Sequence, residues 1–129
     1  MNLDYSGISY VSDFVPTAQF AVGSGGSITG FIGYQPSVNA IWVAFRGSSD
    51  IANWVTNVDF IRTSYPLCGG CSVHEGFYTS TKQALPDVRS AVEQLRASYP
   101  SYKIVVTGHS LGAALATLTA LELSTTYGS

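Results

Sequence analysis

Ser110 lies at the centre of Gly108-His109-Ser110-Leu111-Gly112, inside the stretch VVTGHSLGAALATL at residues 105–118. An apolar run precedes it and a run of strong helix formers follows, so the pattern predicts a strand, a sharp turn and a helix. Glycines two residues to either side remove the side chains that would collide at such a turn, and the serine hydroxyl is left exposed as a nucleophile. At the start of a helix the serine also sits beside unpaired amides and the positive end of the helix dipole. Both favour the negative charge that develops on a carbonyl oxygen during acyl transfer. The Leu111 N–H is the natural first donor to that oxygen. The competing reading is that Ser110 only caps a buried helix.

A second donor has to come from another loop. FRGSSD at residues 45–50 leaves a predicted strand, carries a glycine suited to close approach, and offers Ser48 with both N–H and hydroxyl. Ser48, Ser49 and Asp50 are equally suited to capping the helix that follows. Ile51, Trp54, Val55 and Val58 recur at i, i+3, i+4 and i+7, the spacing of a short amphipathic helix. Beside the site, such a stripe would cover an acyl pocket in water and turn outward at a lipid surface. The same stripe also describes a helix packed permanently on the core.

The elements that must position these residues read as follows. TAQFAV, ITGFIGY and AIWVAFR are three sequential strands, at least two of them a hairpin, with QPSVN and GSGGS as turns. EGFYTSTKQAL is a helix that meets Pro86, and Val88, Ala91, Val92 and Leu95 continue the apolar stripe. Pro86 is expected to kink the helix or restart it. KIVVTG reads as a buried strand and SLGAALATLTALEL as a helix packed on the sheet. Strand, helix, strand, helix in this order predicts an α/β fold.

Composition narrows the function. With 129 residues, 46% hydrophobic, the chain fits one domain. A net charge of −2 with only six Lys and Arg argues against a nucleic-acid or anionic-membrane partner. No run is long enough to span a bilayer. The N-terminus lacks a basic segment followed by a long apolar one, so a signal peptide is expected to be absent or already removed. Cys68 and Cys71, in LCGGCS, suit a redox pair, half a zinc site or a short oxidised loop. Spacing alone does not choose among these, and the oxidised loop, which implies export, is favoured. No metal or other cofactor is called for.

VVTGHSLGAALATL, VAFRGSSDIANWVTNVDF and CGGCSVHEGF, in this order and at these separations, closely resemble the fungal-type class 3 triacylglycerol lipases. The match covers about residues 41–123. The resemblance implies an α/β-hydrolase-like sheet with flanking helices, incomplete in this chain, with residues 1–129 a single partial domain. It implies Ser110 as nucleophile, Ser48 and Leu111 as the oxyanion hole, and residues 51–58 as a movable lid with Trp54 on its apolar face. It further implies a Cys68–Cys71 disulfide, secretion, and an acylglycerol or other ester substrate at a lipid–water interface. Feruloyl esterases and some phospholipases share the fold.

The base and its orienting acid are missing from this pattern, because the family places Asp and then His well after the serine. Only His74 and His109 are present. The His109 ring is expected to point away from the hydroxyl, and the family uses the histidine of HEGF structurally. Asp59 and Asp87 have no placed histidine to orient. The first expectation is therefore a serine ester hydrolase whose Asp and His lie outside these residues, in a C-terminal part of the same protein. The alternative is a truncated, non-catalytic relative that binds lipid or a partner.

Overall fold

The computed structural model describes residues 13–47 and 60–128. Three strands rich in β-branched and aromatic residues, β1 (Val15–Val22), β2 (Ile28–Gln35) and β3 (Ala40–Phe45), form an antiparallel meander. A short turn at Pro36–Val38 joins β2 to β3, closed by Asn39 in the left-handed region at φ 49°. A two-stranded hairpin follows, β4 (Arg62–Ser64) and β5 (Ser72–His74), and leads into helix α1 (Glu75–Ser98). Strand β6 (Lys103–Gly108) pairs in parallel with β3, and helix α2 (Leu111–Tyr127) ends the described chain. The larger sheet runs β1-β2-β3-β6, which is the α/β arrangement expected.

Register decides where the core lies. Side chains alternate across a strand, so Phe20, Ile28, Ile32, Ile41, Val43 and Phe45 share one face. That face meets Ala84, Val88, Val92 and Leu95 of α1 and Leu115, Ala116 and Leu123 of α2 in one cluster. Both helices thus cover the same side of the sheet. Arg89 of α1 ties them together: it reaches the Glu122 carboxylate at 3.7 Å and donates to the Glu122 carbonyl and the Thr126 hydroxyl.

Three features depart from the sequence reading. Pro86 neither ends nor restarts α1, which runs unbroken through it. The proline lies on the exposed side, where the Lys82 carbonyl that loses its helical donor can turn to water. Meanwhile Ala84, Leu85, Val88 and Val92 hold the other side to the core. Strand β6 is not buried: Ile104, Val105 and Val106 are only half-buried, because among the described residues β6 has a neighbour on one side alone. The β4–β5 hairpin has three-residue strands, too short to leave a periodic signal.

A continuous helix makes Pro86→Ala a stabilising change, by about 1 kcal/mol or more, since it restores one backbone hydrogen bond and removes a helix-interior proline. Urea denaturation checks this, and a helix restarting at Pro86 would instead lose stability. The Tyr65 hydroxyl faces the Glu122 carboxylate at 3.4 Å. Burial, and then the Glu122 charge, push its ionisation up to about 12. The unfolded phenol loses its proton near pH 10, so the folded chain holds the extra proton between these values. This stabilisation is complete below about pH 10 and is lost as pH rises towards 12. Tyr65→Phe should flatten the fall in denaturation midpoint over that alkaline window.

Candidate active site

The register that sets Phe45 opposite Gly108 brings the carboxyl ends of β3 and β6 to the same point. The chain leaves β3 as Arg46 and Gly47 there, and leaves β6 as the turn His109-Ser110. The contact between the two exits is made of backbone. A Cβ on Gly112 would lie 2.6 Å from the Phe45 carbonyl oxygen and 3.0 Å from that of Arg46. A Cβ on Gly108 would collide with the Gly112 carbonyl. The two glycines flanking the serine are therefore needed for space, as the sequence pattern predicts.

Ser110 adopts φ 57° and ψ −123°, a conformation that non-glycine residues rarely hold. Such a residue costs on the order of 1–3 kcal/mol and persists where its surroundings over-determine it. Here the Gly112 N–H donates to the His109 carbonyl at 2.9 Å and the Ala113 N–H to the Ser110 carbonyl at 2.9 Å, which closes the turn. Ser110 occupies the N-cap position of α2, yet its side chain makes no capping hydrogen bond. The hydroxyl is not spent on the helix. Leu111 is the first residue of α2, where a backbone N–H has no acceptor inside the helix. One half-buried serine hydroxyl and one oriented amide therefore stand together at the positive end of a 17-residue helix.

The remaining predicted site residues fall in two groups. Ser48 and the helix residues Ile51, Trp54, Val55 and Val58, together with Asp59, lie outside the described residues. The loop that leads to Ser48 is nevertheless at the elbow, because Gly47 abuts the His109 carbonyl. Cys68 and Cys71 are disulfide-bonded at the tip of the β4–β5 hairpin, so neither is a free thiol. The tip is also closed by the Tyr65 N–H donating to the Cys71 carbonyl at 3.0 Å.

Neither histidine is positioned as a base towards Ser110. His74 caps α1: its Nδ1 accepts the Phe77 N–H at 3.3 Å and its ring stacks on Phe77 with centroids 4.2 Å apart. Its Nε2 is buried and makes no hydrogen bond among the described residues. His109 is exposed, with Nδ1 3.8 Å from where a Cβ on Gly47 would stand. Asp87 lies on the exposed side of α1. Among the described residues no imidazole or carboxylate hydrogen-bonds to Ser110, and no cluster of His, Cys, Asp and Glu could hold a metal ion. The geometry brings the Ser110 hydroxyl and the Leu111 N–H together at the elbow.

Known proteins share both the sequence and this arrangement. The family described as "Lipase (class 3)" matches residues 42–129. Secreted mono- and diacylglycerol lipase A of Penicillium cyclopium is 42% identical over 94 residues, which are 73% of this chain and 31% of the relative. The lipase of Rhizopus microsporus var. chinensis superimposes with a TM-score of 0.85 at 34% identity, over 92% of this chain and 41% of that one. A triacylglycerol lipase whose catalytic centre is described as a serine protease triad gives a TM-score of 0.81 at 35% identity, over 88% of this chain and 42% of that one. The chain thus spans less than half the length of each. With the family match extending over two thirds of its residues and the elbow folded as the family sequence pattern requires, the chain belongs to the class 3 lipases.

Proposed function

We propose that the full-length protein is a secreted carboxylic ester hydrolase that cleaves acylglycerols through an acyl-enzyme on Ser110. The observation that carries this reading is the left-handed backbone of Ser110 between β6 and α2, with its hydroxyl making no capping hydrogen bond to the helix. In the reaction the Ser110 Oγ bonds to the ester carbonyl carbon while a base takes the hydroxyl proton. The carbonyl oxygen becomes an oxyanion facing the Leu111 N–H, with Ser48 as second donor from the loop after Gly47. Collapse of this intermediate breaks the bond to the alcohol, which leaves with the proton from the base. Water then releases the acid from Ser110.

The base and its carboxylate partner come from sequence beyond these 129 residues, which form part of one α/β-hydrolase domain. The half-exposed outer edge of β6 supports this, since Ile104, Val105 and Val106 are too apolar for a solvated edge. Residues 51–58 act as the lid. Phe60 and Ile61, which follow directly, are 83% and 55% exposed, and that apolar surface suits an oil–water interface. Secretion is supported by the Cys68–Cys71 disulfide and by the named secretion of the Penicillium relative. A non-catalytic, lipid-binding role is the second reading, favoured by the lack of any imidazole hydrogen-bonded to Ser110 among the described residues.

A fluorophosphonate probe separates the two. It should label the full-length protein at Ser110 and leave the 129-residue chain unlabelled, and an unlabelled full-length protein would establish the second reading. Ser110→Ala should remove nearly all ester turnover. Loss of one oxyanion donor costs on the order of 10²–10³ in turnover. Ser48→Ala should lower kcat by up to that factor with little change in KM, and full activity would show its hydroxyl to be dispensable.

A further inference from the structure

Gly47 is the last described residue of the loop leaving β3. A Cβ placed on it would lie 2.6 Å from the His109 carbonyl oxygen and 3.5 Å from the His109 carbonyl carbon. The first separation is shorter than real Cβ contacts allow, and the atom it meets is backbone, so no side-chain rotation relieves it. Gly47 is not among the glycines with positive φ. The position therefore requires glycine for space and not for conformation.

The carbonyl that Gly47 abuts belongs to the peptide joining His109 to Ser110. The same oxygen accepts the Gly112 N–H at 2.9 Å. It is thus held on one side by the first turn of α2 and bounded on the other by the exit of β3. Ser110, at φ 57°, follows directly. Gly112 faces the opposite way across this seam, against the Phe45 and Arg46 carbonyls. The two glycines interlock the exits of β3 and β6.

We infer that Gly47 is a positioning residue for the nucleophile: the missing side chain lets the exit of β3 press on the His109–Ser110 peptide, and this contact holds the hydroxyl of Ser110 and the amide of Leu111 in line. Gly47 touches no reacting atom and acts through that peptide. The inference rests on Ser110 being the nucleophile of the proposed hydrolysis. A methyl group at residue 47 forces the β3 exit and the elbow apart by several tenths of an ångström. Misplacement of this order at a reacting group costs roughly ten- to a hundred-fold in rate.

The experiment uses Gly47→Ala in the full-length protein with a soluble short-chain nitrophenyl ester. The expected result is that kcat and the rate constant for fluorophosphonate labelling fall together by roughly ten- to a hundred-fold, while KM stays within about twofold. Circular dichroism and the melting midpoint should match the parent. Gly69→Ala, at a glycine with open space around it, should leave all of these unchanged. A folded Gly47→Ala protein with parental kcat and labelling overturns the inference. So does one that fails to fold, since Gly47 would then serve the fold as a whole. Ser110→Ala separates the two claims. Retained turnover there brings down the hydrolase reading itself, whereas an inactive Ser110→Ala beside a normal Gly47→Ala removes the positioning role alone.

Discussion

The pairing of β3 with β6, in the register that sets Phe45 opposite Gly108, is the constraint on which the site depends. Parallel strands end on the same side of a sheet, so both chain exits meet, and two turns distant in sequence become neighbours. Shifting that register by one residue would carry Phe45 away from Gly108 and turn the buried face of β3 outward. Because Ile41 and Val43 are fully buried against the helices, the core itself enforces the alignment of the elbow. Packing energy far from Ser110 is in this sense what maintains its unusual backbone.

Much of this was legible in the sequence because it rests on local patterns. The elbow announces itself through two glycines whose spacing has a steric cause, and the structure places a backbone carbonyl where each missing side chain would be. The meander of β1 to β3 follows from β-branched and aromatic runs broken by turn residues. The restart at Pro86 does not occur, and the sequence leaves it open because a proline signal is read without knowing which side of the helix faces water. The exposure of β6 was also illegible: apolar composition tells that a strand wants neighbours on both sides, not whether the chain at hand supplies them. The three-residue strands on either side of the disulfide are too short to give a period from which a hairpin could be read.

The histidines illustrate a different limit. Residue type alone marks His74 as a possible base, yet its Nδ1 is occupied by the Phe77 amide and its ring by the Phe77 ring. It holds the start of α1, as Ser or Asp does in other helices. His109 stands next to Ser110 in sequence, yet it is exposed and makes no hydrogen bond to Ser110 among the described residues. Proximity along the chain says little about reach across a site.

The strand pairings also differ in how far apart they lie along the chain. Strands β1, β2 and β3 are sequential, with close-range partners such as Val22 and Ile28, whereas β3 must find a partner about 60 residues further on, as in Ile41 with Ile104. Local hairpins close at low entropic cost, and long loops close later. The left-handed turn at Ser110 can be enforced only after that late pairing. While the chain is being made, the meander can form and bury part of its surface before the turn at Ser110 exists. Formation of the Ser110 turn is thereby tied to near-completion of the fold.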